Sequence, residues 1–101
     1  MRVGRAGELA VGIIKNTEHI ASALNPGKYR IPDQLLRQKL LITEVKNAAV
    51  VSYTKQLRDY AAIAQREGYT FELIVRKATR LSKPLQAAVD RGHIILRRVL
   101  P

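Results

Sequence analysis

Residues 48–67 read as a helix set between two strand-like runs, Leu40–Lys46 and Thr70–Val75. Strands joined through a helix need a crossover, so the two runs belong in a mixed sheet with the helix on one of its faces. The helical reading rests on spacings of three and four. Val50, Tyr53, Leu57, Tyr60, Ala61 and Ala64 fall near one face, and Val51, Lys55, Arg58 and Ala62 near another. Gly68 is the expected terminator. Phe71, Leu73 and Val75 alternate onto one side of the following strand. Beyond a basic connection over Arg76–Lys83, the sequence Ser82-Lys83-Pro84 starts a short helix, Pro84–Arg91, which Gly92 ends. His93–Val99 is a final strand with Ile94, Ile95 and Leu96 at its core.

Upstream, Gly7–Ile14 reads as an N-terminal helix and Glu18–Ala21 as a short extended segment. Asn25-Pro26-Gly27 is a turn, because proline fixes φ and glycine permits positive φ. Tyr29–Ile31 returns to strand, Pro32 marks its edge or end, and residues 34–39 are expected to turn the chain back toward Leu40. The order is helix, two or three strands, helix, strand, short helix, strand. It predicts one α/β domain over 1–101.

The chain has 18 Lys and Arg against 8 Asp and Glu, a formal charge of +10. In so short a chain that field favours nucleic acid, an anionic membrane or an acidic protein partner. There is no cysteine, which excludes disulfides, thiolate zinc sites and cysteine nucleophiles. His19 and His93 show no ligand spacing. No apolar run is long enough to span a membrane, and Met1–Arg5 is basic but not followed by a signal-peptide core, so neither a span nor a secretory leader is expected.

Charged residues interrupt the apolar runs at Asp33, Glu44 and Lys46. Glu44 and Lys46 share a strand face with Val45 opposite, and charges in such segments must be paired, hydrogen-bonded or metal-bound. Asp33 and Glu44 would suit a hard divalent cation, with the Val45 carbonyl as a further ligand and Lys46 beside the reacting water. A carboxylate-x-lysine triplet is weak by itself. The same residues fit a strand-end ion pair, Glu44 with Lys46, while Asp33 opens a turn. Gln56 and Tyr60 lie one helical turn apart and point together; Tyr60 also fits ordinary packing, whereas Gln56 needs a polar partner.

Tyr29-Arg30-Ile31-Pro32-Asp33, then Glu44-Val45-Lys46-Asn47, then Ser52 to Tyr60 resemble the PD-(D/E)xK restriction-endonuclease-like superfamily. More narrowly, they resemble the nuclease domains at the C-termini of bacterial polymorphic and contact-dependent toxins. The likeness continues through Tyr69–Arg76, Thr79–Leu85 and Asp90–Leu96 and covers the chain from about Gly7 onward. Gln56 and Tyr60 match the glutamine-xxx-tyrosine pattern of the superfamily's RecB-type branch. The resemblance implies a central four-stranded mixed sheet flanked by helices. It implies Asp33, Glu44 and Lys46 as the metal-binding and catalytic trio, and Glu8 as an additional acidic ligand, although a helix-start glutamate accounts for Glu8 equally well.

By the same resemblance the chain is a metal-dependent endonuclease, using magnesium first, with manganese and zinc as alternatives, and acting on DNA. It would be secreted at the end of a larger carrier polypeptide, act in the cytoplasm of a competing bacterium, and be neutralised in the producer by an acidic immunity protein. Lys55, Arg58, Tyr60, Arg76 and Lys77 are the candidate nucleic-acid contacts. Three alternatives stay open: an RNase on the same scaffold, for example one cutting tRNA; a non-catalytic basic nucleic-acid-binding domain; and a repair or resolvase-like nuclease.

Overall fold

The structure, a computed structural model, describes Gly12 and residues 15–101. Glu8 and, Gly12 apart, the helix expected over Gly7–Ile14 lie outside the described residues. The elements are β1 (Ile20–Ala21), β2 (Tyr29–Arg30), β3 (Gln34–Leu36), a 3-10 turn (Arg37–Lys39), β4 (Leu41–Lys46), β5 (Val50–Val51), α1 (Lys55–Glu67), β6 (Thr70–Arg76), β7 (Arg80–Leu81), α2 (Lys83–Asp90) and β8 (Ile95–Leu100). The central sheet has the order β3-β4-β6-β8. β3 runs antiparallel to β4, while β4, β6 and β8 are mutually parallel, joined by crossovers through α1 and α2. This is the four-stranded mixed sheet flanked by helices that the family resemblance implies.

Both helices carry their own punctuation. Thr54 caps α1 by accepting from the Leu57 N–H at 3.2 Å, and Gly68 closes it at φ 75°. Ser82 caps α2 in the same way, with proline in the first turn. The core lies between the helices and one sheet face. Leu57, Tyr60, Ile63 and Ala64 of α1 and Leu85 and Ala88 of α2 cluster with Ile42, Phe71, Leu73 and Val75. Each fully buried large side chain contributes roughly 1.5–3 kcal/mol. On the opposite face Val45, Ile74 and Leu100 form a second apolar cluster. Beside it a polar ladder crosses all four strands. Gln34 Nε2 donates to Thr43 Oγ1 (3.0 Å), which donates to Glu72 Oε1 (3.0 Å), whose Oε2 accepts from Arg97 (3.2 Å).

Four expectations need correction. Residues 34–39 do not simply turn the chain: Gln34–Leu36 is a strand in register with Leu41–Thr43, because Leu35 and Leu36 have a sheet to join. The turn is compressed into Arg37–Leu40 and leaves Leu40 at a positive φ of 52°. Tyr29–Arg30 pairs with Ile20–Ala21 in a separate two-stranded ladder. The helix begins at Lys55, not Ala48, since the β-branched pair Val50–Val51 joins Arg80–Leu81 in a short parallel ladder inside the supposed basic connection. Ile95 is 49% exposed; the apolar anchors of the last segment are Ile94 and Leu100.

The β1–β2 hairpin is tied to α1 by a buried carboxylate. Asp59 is fully buried and accepts from Ser22 Oγ (2.5 Å), Ala23 N–H (2.8 Å), Leu24 N–H (2.9 Å) and Arg30 Nε. Burial by itself would raise its pKa, but the hydrogen bonds from Ser22, Leu24, Arg30 and Ala23 outweigh it and hold the carboxyl below its usual value. Arg66 adds bonds to the Ala21 and Ser22 carbonyls. A carboxylate with a depressed folded-state pKa contributes stability above its unfolded value, and this is lost as pH falls. Asp59→Ala should therefore cost about 3–5 kcal/mol at neutral pH. Urea melts should also show part of the wild type's stability loss below about pH 4 missing from the variant.

Candidate functional site

The register of β3 on β4 builds the site. Gln34 lies opposite Thr43, which leaves Asp33, one residue before the strand, facing Glu44. Two reciprocal hydrogen bonds fix the pair: the Asp33 N–H donates to Glu44 Oε1 at 3.1 Å, and the Val45 N–H donates to Asp33 Oδ2 at 2.7 Å. Two residues along β4 on the helix-facing side, Lys46 Nζ lies 3.6 Å from Glu44 Oε2. It donates to Gln56 Oε1 at 2.9 Å. Gln56 stands in the first turn of α1, and Tyr60, one turn further on, is fully buried against Phe71 with ring centroids 5.6 Å apart. Among the described residues the buried Tyr60 hydroxyl makes no hydrogen bond of standard geometry; burial raises its pKa, while the nearby Gln56 side chain acts to lower it.

Burial makes the site electrostatically tense. Glu44 is only 4% exposed, and its pKa is pushed up to about 8, by desolvation first and by the neighbouring Asp33 charge second. The Asp33 N–H and the Lys46 charge act in the opposite direction without cancelling the rise. The Tyr60 hydroxyl is likewise held up by burial and then by Glu44 and Asp33. Two adjacent carboxylates, a half-buried Asp33 and a buried Glu44 beside Lys46, are an oxygen donor pair suited to a hard cation, whose charge would let both ionise. No group of three or more histidines, cysteines or carboxylates occurs among the described residues. Any cation here would draw its remaining ligands from a backbone carbonyl, water or substrate, as magnesium commonly does.

The other expected residues divide by position. Because β4, β6 and β8 are parallel, their C-terminal ends share one edge, which carries Lys46, Arg76 and the start of Lys77. Arg76 grips the residue after Lys46, donating to Asn47 Oδ1 (2.6 Å) and the Asn47 carbonyl (3.2 Å). Lys55 is exposed at the start of α1. Arg58 is exposed, with its guanidinium 4.2 Å from the Tyr53 ring centre and its Nε on the Tyr53 carbonyl. Tyr60 has no exposed surface with which to meet a nucleic acid; its ring belongs to the core beneath the carboxylates. Asp59 escapes notice in the sequence, although a charged residue on the buried stripe of α1, three after Gln56, is the available signal.

A family of restriction endonuclease fold toxins, restriction endonuclease fold toxin 7, matches residues 4–85. The chain belongs to that family. It is thus a toxin nuclease domain with the restriction-endonuclease-like fold and the PD-(D/E)xK pattern, and the match spans Asp33, Glu44, Lys46 and all of α1. No curated protein and no solved structure matches the chain. No helix among the described residues of this toxin domain is long and apolar enough to cross a membrane.

A buried acid with a raised pKa binds a proton more tightly in the folded than in the unfolded chain. Metal-free protein should therefore lose stability as pH rises from about 4.5 toward 8. Glu44→Gln keeps an acceptor for the Asp33 N–H but removes the charge. In chelator at pH 9 its Tm should exceed that of wild type by about 5 °C or more, and at pH 5 the two should nearly coincide. Thermal melts at both pH values check this.

Proposed function

We propose that this toxin domain is a metal-dependent endonuclease that hydrolyses nucleic-acid phosphodiesters, DNA foremost. The observation that supports the reading most is the pairing of Asp33 with the buried Glu44, with the Lys46 ammonium beside them. Asp33, Glu44 and the Val45 carbonyl would hold the divalent ion, and the all-oxygen set favours magnesium or manganese over zinc. A cation so bound supplies Lewis acidity to the scissile phosphate and lowers the pKa of the attacking water.

The chain's own groups do the rest. Gln56 fixes the Lys46 side chain, so that its ammonium is aimed where negative charge builds on the phosphate or where a water must be oriented. The fully buried ring of Tyr60 forms the floor and keeps bulk water from the carboxylates. Lys55, Arg58, Arg76 and Lys77, near the edge that carries Lys46, would bind flanking phosphates, each contact adding to salt sensitivity. Arg76 would do so while held by Asn47. In this reading residues 1–101 form one toxic unit, exported as part of a larger toxin and acting in the cytoplasm of the target bacterium. An acidic immunity protein would compete for the same positive surface.

Incubation of purified protein with plasmid DNA and with total RNA, with magnesium and then with chelator, tests the reading. Cleavage of DNA that requires the metal is expected. Lys46→Ala should lower the rate roughly 10²–10⁴-fold, and Glu44→Gln should abolish it. Cleavage confined to RNA would change the substrate, and a Lys46→Ala variant as active as wild type would overturn the assignment.

A further inference from the structure

One face of α1 holds two cations, one turn apart. Gln56 Oε1 accepts from Lys46 Nζ, and Asp59 Oδ2 accepts from Arg30 Nε. Lys46 is a strand neighbour of Glu44 and lies 3.6 Å from its carboxylate, while the Arg30 charge reaches the same Tyr60 hydroxyl that Glu44 and Asp33 act on. Their exposures are similar: the Lys46 side chain is 33% exposed and that of Arg30 is 28%. Only the Nε of Arg30 is engaged among the described residues, which leaves both terminal amino groups of its fork uncommitted. Arg30 also lines a small cleft with Ser22, Asn25, Tyr29 and a second cation, Lys28.

Asp59 does not need Arg30 to be satisfied, because it already accepts from Ser22, Ala23 and Leu24. An arginine oriented by a buried carboxylate, with its outer donors open beside a phosphodiester site, is pre-organised for an anion. We propose that Arg30 is a phosphate-binding residue of the Asp33–Glu44–Lys46 site. It is held by Asp59 and presents its two terminal amino groups to a backbone phosphate next to the one that is cut. This rests on the nuclease reading of that site. It makes the β1–β2 hairpin part of the substrate track, which then runs from the Lys46 edge across the carboxylates toward Lys28.

Wild type, Arg30→Lys and Arg30→Ala distinguish this role from a structural one. Cleavage kinetics would be measured below the Tm of each variant. Binding of a short DNA duplex and of an RNA of equal length would be followed across a salt series in a Glu44→Gln background. Arg30→Lys keeps the charge but loses the fork, so KM should rise about 10-fold while kcat changes little. For Arg30→Ala, the slope of log affinity against log salt should fall by about one. If Arg30→Ala fails to fold, the Arg30→Lys kinetics and binding carry the test. A lower Tm with unchanged KM and salt slope would show that Arg30 only staples the hairpin, and would overturn the proposal. If wild type cuts neither nucleic acid, the nuclease reading fails instead, and the salt slopes still report whether Arg30 meets phosphate.

Discussion

The antiparallel pairing of β3 with β4 is the contact on which the candidate site depends. Asp33 lies outside any strand, yet the Gln34–Thr43 register holds it opposite Glu44. Its carboxylate takes the Val45 N–H, and its own N–H goes to Glu44. Each acid is thus fixed by the backbone of the segment bearing the other. A slip of one residue would set Asp33 against Thr43 or Val45, whose side chains point to the opposite face. The pairing is protected against such a slip. Leu35 lies opposite Ile42, a core residue, and Gln34 bonds to the fully buried Thr43 on the other side. Apolar burial on one face and a polar ladder on the other specify the same register.

That arrangement opposes the ordinary preference of a carboxylate for water. Glu44 is displaced far toward neutrality by its surroundings, and Tyr60, in the helix above, buries a hydroxyl with no standard hydrogen bond among the described residues. Neither feature helps the chain to fold. The cost is tolerated because the same helix places Leu57, Ile63 and Ala64 on Ile42, Phe71 and Leu73, an apolar contact large enough to carry it. Local conflict with the rules of burial, supported by a conventional core, is expected where structure is held for chemistry and not for stability.

Long-period features were legible in the sequence. The α1 stripe, its Gly68 stop, the alternation of β6 and the Ser82-capped second helix each repeat a signal over several residues, and the parallel sheet follows from them. Short ladders were not. β5 and β7 have two residues each, and Val50–Val51 also satisfies a helical spacing, so only the tertiary bonds from Arg80 and Ser82 decide. Leu35 and Leu36 looked wrong for a turn because they are a strand, a conflict visible in the residues themselves. Asp33, Glu44 and Lys46 stood out as charges in apolar runs, and the structure brings them together. The hydrogen bonds that join them could not be read, because they depend on a register set by the 3-10 turn and the strained Leu40.

The position of α1 links these observations into one mechanical unit. Gln56, Asp59 and Tyr60 occupy adjacent places on its buried side and respectively hold Lys46, hold Arg30 and underlie Glu44. The two outer supports differ in kind. Lys46 comes from the central sheet and moves only if β4 moves, whereas Arg30 comes from a two-residue strand whose polar ties to α1 run through Asp59 and Arg66 and whose apolar anchor is Ile20 of β1. Opening of the hairpin would therefore withdraw Arg30 and leave the Asp33–Glu44–Lys46 cluster intact, since none of its bonds passes through β1 or β2. Local stability in this chain should be graded accordingly, with the carboxylates on the central four-stranded sheet and the Arg30 contact on a two-stranded hairpin.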